Sequence, residues 1–109
     1  MKHLKRYNES SEPREKLDFS DVLKKELIYS LLWGDDVLKH NGEVYEFVKK
    51  DQTDFDSEKG YVSYNIIIQR ESDGKYFKGY AQEWGRGENL VHTEFEQVFR
   101  KEKVTYYYE

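Results

Sequence analysis

The chain has 109 residues, enough for one domain, of which 37% are hydrophobic and 37% charged, with a net charge of −4. It has no cysteine, which excludes disulfides, thiolate metal sites and a cysteine nucleophile. No apolar run approaches the roughly 18 residues of a membrane-spanning helix and no signal-peptide pattern opens the chain, so a soluble, cytoplasmic protein is expected, with no membrane partner.

The charge is unevenly placed. Residues 1–50 carry ten acids and ten bases, whereas the second half carries twelve acids and eight bases. A protein that grips nucleic acid mainly through phosphates usually shows the opposite sign. The core must draw on large side chains: ten Tyr, six Phe and two Trp, types that favour strands.

Residues 1–16 are polar, with Lys2, Lys5, Arg6, Arg14 and Lys16 among the bases and little to bury, so they read as a flexible N-terminal arm ahead of a single domain, 17–109. Phe19, Val22, Leu23, Leu27, Leu31 and Trp33, joined by Ile28 and Leu32, recur at helical spacing and predict one helix over 19–33. Asp18 or Ser20 would cap it and Gly34 would end it.

Asn41-Gly42 is a strong hairpin signal, because a type I′ turn needs two positive φ angles. It joins strands at about 36–40 and 43–49, setting His40 against Glu43 and Leu38 against Tyr45, with Leu38, Tyr45 and Phe47 on one face. Asp51, Asp54, Asp56 and Glu58 then fall in a segment read as a polar loop. Their spacing misses the calcium-loop pattern, which leaves a solvated loop or an acidic contact surface as the main readings.

Two further strands, 61–70 and 75–84, flank Glu71-Ser72-Asp73-Gly74. A three-residue loop with a bulge at Gly74 pairs Glu71 with Lys75, Ile66 with Tyr80 and Val62 with Trp84. Val62, Tyr64, Ile66, Ile68, Tyr80 and Trp84 would then share the core face. A two-residue loop would turn Tyr80 and Trp84 outward. Gly85-Arg86-Gly87-Glu88-Asn89 reads as a link, 90–99 fits neither period cleanly, and the alternation of Val104, Tyr106 and Tyr108 predicts a last strand near 103–108. The expected fold class is α+β: one N-terminal helix packed on a twisted antiparallel sheet of about five strands, a meander of two hairpins plus a C-terminal strand.

No metal or cofactor motif is present. His3, His40 and His92 lie far apart, and no His-x-x-His spacing occurs. His92 with Glu94 or Glu96 could form an acid–base pair, but no nucleophile motif accompanies them, so a non-enzymatic protein is expected.

Ser72-Asp73-Gly74-Lys75-Tyr76-Phe77 follows a strand ending in Gln69-Arg70, and the run Phe95-Glu96-Gln97-Val98-Phe99-Arg100-Lys101-Glu102-Lys103-Val104 closes the chain. With Gly34-Asp35-Asp36 and the Asn41-Gly42 turn, this pattern over about residues 34–109 resembles small uncharacterised proteins encoded by bacteriophages. The resemblance implies action in the host cytoplasm by binding a host or phage protein, as an inhibitor of a host defence or a host enzyme. It carries over no functional residue.

Two binding readings follow. In the first, the protein is a protein-binding module with Asp51, Asp54, Asp56, Glu58, Arg86 and Tyr107 as contact residues; exposed Tyr offers area and a hydrogen bond with few rotatable bonds. The alternative is nucleic-acid binding through Lys2, Lys5, Arg6, Arg86, Lys101 and Lys103, with Tyr106, Tyr107 and Tyr108 stacking on bases.

Overall fold

Asn41 and Gly42 both adopt positive φ, 52° and 80°, and this local demand fixes the first hairpin. Leu38 pairs with Tyr45 and His40 with Glu43, as expected from the turn. The computed structural model describes residues 14–101 together with Tyr107 and Tyr108. Most of the expected arm (1–13) and most of the expected last strand, including Val104 and Tyr106, lie outside the described residues.

In chain order the described elements are β1 (Lys16–Asp18), α1 (Lys24–Leu27) running on into a π-helical turn (Ile28–Leu32), β2 (Leu38–His40), β3 (Glu43–Asp56), β4 (Tyr61–Arg70), β5 (Tyr76–Trp84), β6 (Asn89–Val91), β7 (Glu94–Val98), β8 (Arg100–Lys101) and β9 (Tyr107–Tyr108). One antiparallel sheet takes the order β1-β7-β5-β4-β3-β2 with β6 also beside β5. Its seven strands form a half-barrel rather than the expected sheet of about five. β8 and β9 make a separate two-stranded ladder, so Tyr107 and Tyr108 join no edge of the main sheet. No described helix is long and apolar enough to cross a membrane.

Four expectations change on the structure. The helix is much shorter than 19–33. Phe19, which was to open it, instead continues the line of β1, donating its N–H to the Thr93 carbonyl at 2.9 Å, and is fully buried there. The apolar stripe is thus shared between an extended segment and a short helix. Leu27, Leu31 and Leu32 are buried, while Leu23 and Trp33 are exposed. Asp18 caps no helix; its carboxylate accepts the N–H of Ser20 in a local turn. Arg14 to Lys16, assigned to the arm, lie along β7: Gln97 donates its N–H to the Glu15 carbonyl, and Lys16 pairs with Glu96.

The central hairpin has a different register. Arg70 donates to the Lys75 carbonyl at 2.9 Å and Gly74 to the Arg70 carbonyl at 2.8 Å, so the loop is the four residues Glu71–Gly74. Glu71 is drawn out of the hairpin because its N–H bonds the Val44 carbonyl of the neighbouring strand, at 2.8 Å. Ile68 therefore faces Phe77, Ile66 faces Gly79, and Trp84 faces Tyr61. Because side chains alternate, this turns all of β5 over. Phe77 and Ala81 enter the core, and Tyr80 and Trp84 go to the other face, half-buried. Gly79 is needed at its place: a Cβ there would lie 2.4 Å from the Phe95 ring.

The acidic segment is no loop to Asp56. It continues β3, paired with β4 as far as Asp56 opposite Tyr61, with register shifts at Val48 and Thr53. Acid-rich sequence is a poor strand former, but this is an edge: among the described residues no strand pairs with β3 beyond Tyr45 on its outer side. Charges and bulges on an edge discourage pairing with other chains. Residues 90–99 likewise resolve into β6 and β7, both lying along β5.

The helix and π-helical turn cover the inner face of the sheet. There Phe19, Leu27, Leu31 and Leu32 pack with Leu38, Tyr45, Ile66, Ile68, Phe77, Ala81, Val91 and Phe95 as one core.

Candidate functional site

Asp51 lies opposite Asn65 and Asp54 opposite Ser63. Asn65 and Ser63 are two apart on β4, so both Asp residues share the outer face, and Asp56, opposite Tyr61, extends the row. The bulge at Thr53 makes this possible, since residues three apart on a regular strand would face opposite ways. Much of this acidity is used locally. Asp51 bridges Lys49 at 3.3 Å, and the Asp56 carboxylate accepts the N–H groups of Glu58 and Lys59, both at 3.0 Å, shaping the turn. Glu58 is exposed in that turn. Gly85 donates to the Gly60 carbonyl at 3.0 Å, so the turn carrying Arg86 lies beside it, and Arg86 itself bonds Glu88 at 2.9 Å.

Five of the six expected contact residues therefore gather at the β3–β4 turn end. Tyr107 does not join them. Its strand β9 pairs with β8, which follows β7 past Val98, opposite Tyr76, at the Glu71–Gly74 end. The length of β4, roughly 30 Å, separates the two ends. Of the residues named for nucleic-acid binding, Lys2, Lys5, Arg6, Lys103 and Tyr106 lie outside the described residues.

His92, Glu94 and Glu96 do come together, around a hollow of about 340 Å³ that Lys16, Lys78 and Tyr80 also line. The exposed His92 ring packs edge-on against Tyr80 at 4.9 Å. No hydrogen bond or ion pair joins His92 to either glutamate among the described residues. His40 is better placed: it bonds the Asp21 carboxylate at 2.8 Å and meets the Phe19 ring edge-on at 5.1 Å. That bond holds the Asp21 carboxyl below its usual range. Among the described residues no group of three or more His, Asp or Glu side chains is arranged to hold a metal ion.

The most organised surface was not read from the sequence. Val62 on β4 faces both Phe55 of β3 and Glu83 of β5, and Ile66, two steps further in, is fully buried. Phe55, Val62, Tyr64 and Glu83 thus lie on the inner face, toward the β3–β4 turn end. Glu83 is the hub. Its carboxylate accepts the indole N–H of Trp33 at 3.1 Å and meets the Lys50 ammonium at 3.5 Å. Burial, together with a hydrogen bond to the Glu83 carboxylate, pushes the Tyr64 hydroxyl pKa up. The Lys50 ammonium also sits over the Tyr64 ring, 4.6 Å from its centre. Trp33 packs edge-on against Tyr29 at 5.1 Å. Around this half-buried ion pair Tyr29, Trp33 and Phe55 are 44%, 40% and 59% exposed. The signal available in the sequence was Glu83 itself: with the four-residue loop, a carboxylate falls on the apolar face of β5.

Comparison with protein-family models, curated proteins and solved structures finds no match.

Proposed function

We propose that the protein is a non-enzymatic protein-binding module, and that its contact surface is the inner-face end formed by Tyr29, Trp33, Phe55 and Tyr64 around Glu83. One observation carries this reading. Three large aromatic side chains are left exposed at this end, Tyr29 and Trp33 packed edge-on, on a surface whose Glu83 carboxylate is already oriented by a hydrogen bond from Trp33. Interfaces are enriched in such aromatics, and their strongest residues are ones that reach burial only when the partner arrives. Glu58 and Arg86, in the turns at this end, would form a polar rim, while the row of Asp51, Asp54 and Asp56 on the outer face of the edge strand would meet only a partner that wraps around that edge. Within this reading the resemblance to small bacteriophage proteins supplies the partner class: a host defence factor or a host enzyme, held in an inhibited state.

The test is a comparison of captures from bacterial lysate by the parent chain and by Trp33→Ala/Phe55→Ala. Both substitutions remove exposed side chains, so the circular dichroism spectrum should be unchanged. A stoichiometric partner retained by the parent and lost by the variant is the expected outcome. Identical captures by both, or no partner from any relevant host, would count against it.

A further inference from the structure

The Glu83 cluster already holds a cation. The Lys50 ammonium is gripped between the Glu83 carboxylate and the face of the Tyr64 ring, at 3.5 Å and 4.6 Å, and Trp33 fixes the carboxylate from the other side. A carboxylate beside an aromatic face is a chemistry that selects ammonium and guanidinium groups over neutral ones. The grip is not closed: the Lys50 and Glu83 side chains are 29% and 26% exposed, and Trp33, which bonds Glu83, is 40% exposed.

The outer face of edge strand β3, behind the cluster, is acid-rich as well. Lys49 is bridged to Asp51 and Arg86 to Glu88. Asp54 and Asp56 accept only backbone N–H groups. Glu58 adds a third carboxylate without a cation partner among the described residues, alongside the ammonium groups of Lys59 and Lys24. The occupant that complements this end is a basic one.

We infer that the cluster receives an arginine or lysine side chain of a protein partner, which takes over the Glu83 carboxylate and the Tyr64 face from Lys50. Arginine suits it better, since a planar guanidinium can stack on Trp33 or Tyr64 while donating to Glu83. This rests on the protein-binding reading and states the chemistry of the partner. Lys50 then acts as a placeholder. It keeps Glu83 paired in the free protein and swings out to water when the partner's cation enters.

Short synthetic peptides that differ only at one central residue, Arg, Lys, norleucine or Glu, test this on the full chain. The indole N–H resonance of Trp33, assigned with Trp84→Phe, reports the site directly because that proton is given to Glu83. The Arg peptide should shift it saturably and the Glu peptide should not. Lys50→Met, which keeps the apolar stem and removes the competing charge, should tighten the Arg peptide about three- to fivefold, the worth of an exposed ion pair. Glu83→Gln should abolish the shift while leaving the thermal melt near that of the parent. Equal binding of the norleucine and Arg peptides would overturn the inference but leave the protein-binding surface standing. An unmoved Trp33 signal with every peptide at millimolar concentration, in the parent and in Lys50→Met, would also overturn it; the protein-binding reading would then rest on the capture experiment alone.

Discussion

Arg70 is 8% exposed and carries a permanent charge, so everything around it must answer that charge. Its guanidinium forks onto Glu15 at 2.6 and 2.7 Å, reaches Asp73 at 2.8 Å, and lies over the Phe77 ring at 5.1 Å. The hydrogen bond from Arg70, ahead of those from the backbone, depresses the Asp73 carboxyl from an ordinary 3.8 to about 2. Glu15 is lowered for the same first reason. A carboxylate with a depressed folded pKa adds stability that is fully present above its unfolded pKa and lost as pH falls through the folded one. The protein should therefore hold its stability at neutral pH and lose it progressively from about pH 4 toward pH 2. Both carboxylates are more than a third exposed, which solvent screening discounts, so the slope should be modest. Urea melts across this range should show it, and Asp73→Asn should be less stable at neutral pH with a shallower acid slope. An unchanged slope in Asp73→Asn would mean that the ion pair does not respond to folding.

Among the elements, the β4–β5 hairpin carries the sharpest consequence. In the observed register Phe77 is fully buried between Tyr45 and the Arg70 guanidinium, while Trp84 is half-buried against Tyr61 at a ring separation of 5.7 Å. Truncating a buried Phe to Ala costs about 3–5 kcal/mol. Phe77→Ala should leave the protein barely folded, and Trp84→Ala should melt much closer to the parent. The reverse order would restore the register that the turn sequence alone suggests. The contrast shows what local sequence can specify. Asn41-Gly42 set its hairpin correctly because the turn geometry belongs to those two residues. Glu71–Gly74 did not, because Glu71 takes its partner from Val44, which no local rule foresees. The apolar residues of 19–33 were correctly read as largely core-forming. Their assignment to one helix failed because Phe19 reaches burial as an extended residue paired to Thr93. Half the candidate site was hidden the same way: Lys50, Tyr64 and Glu83 meet only through cross-strand neighbours, whereas the acidic row was visible as composition though not as one face of an edge strand.

For the whole molecule, the order of strands in the sheet is also an order in time. β2 through β6 form by successive hairpins, each pairing neighbours in the chain, and such contacts close quickly. β7 skips one strand to reach β5, and the pairing of β1 with β7 spans far more of the chain. Glu15 and Gln97, which bond each other at 2.8 and 3.2 Å, are 82 residues apart. The pairing of β1 has to bear the entropy of the longest loop in the fold, so it should follow the hairpins. In refolding with pulsed hydrogen exchange, the amides of β3 and β4 should gain protection before those of Lys16 to Phe19; simultaneous protection would refute this order. During synthesis the delay becomes a matter of the ribosome. β1 leaves it well before Glu94 to Gln97 and finds its place only after they emerge, so through that interval β1 waits without its neighbour, and Arg70 waits without Glu15.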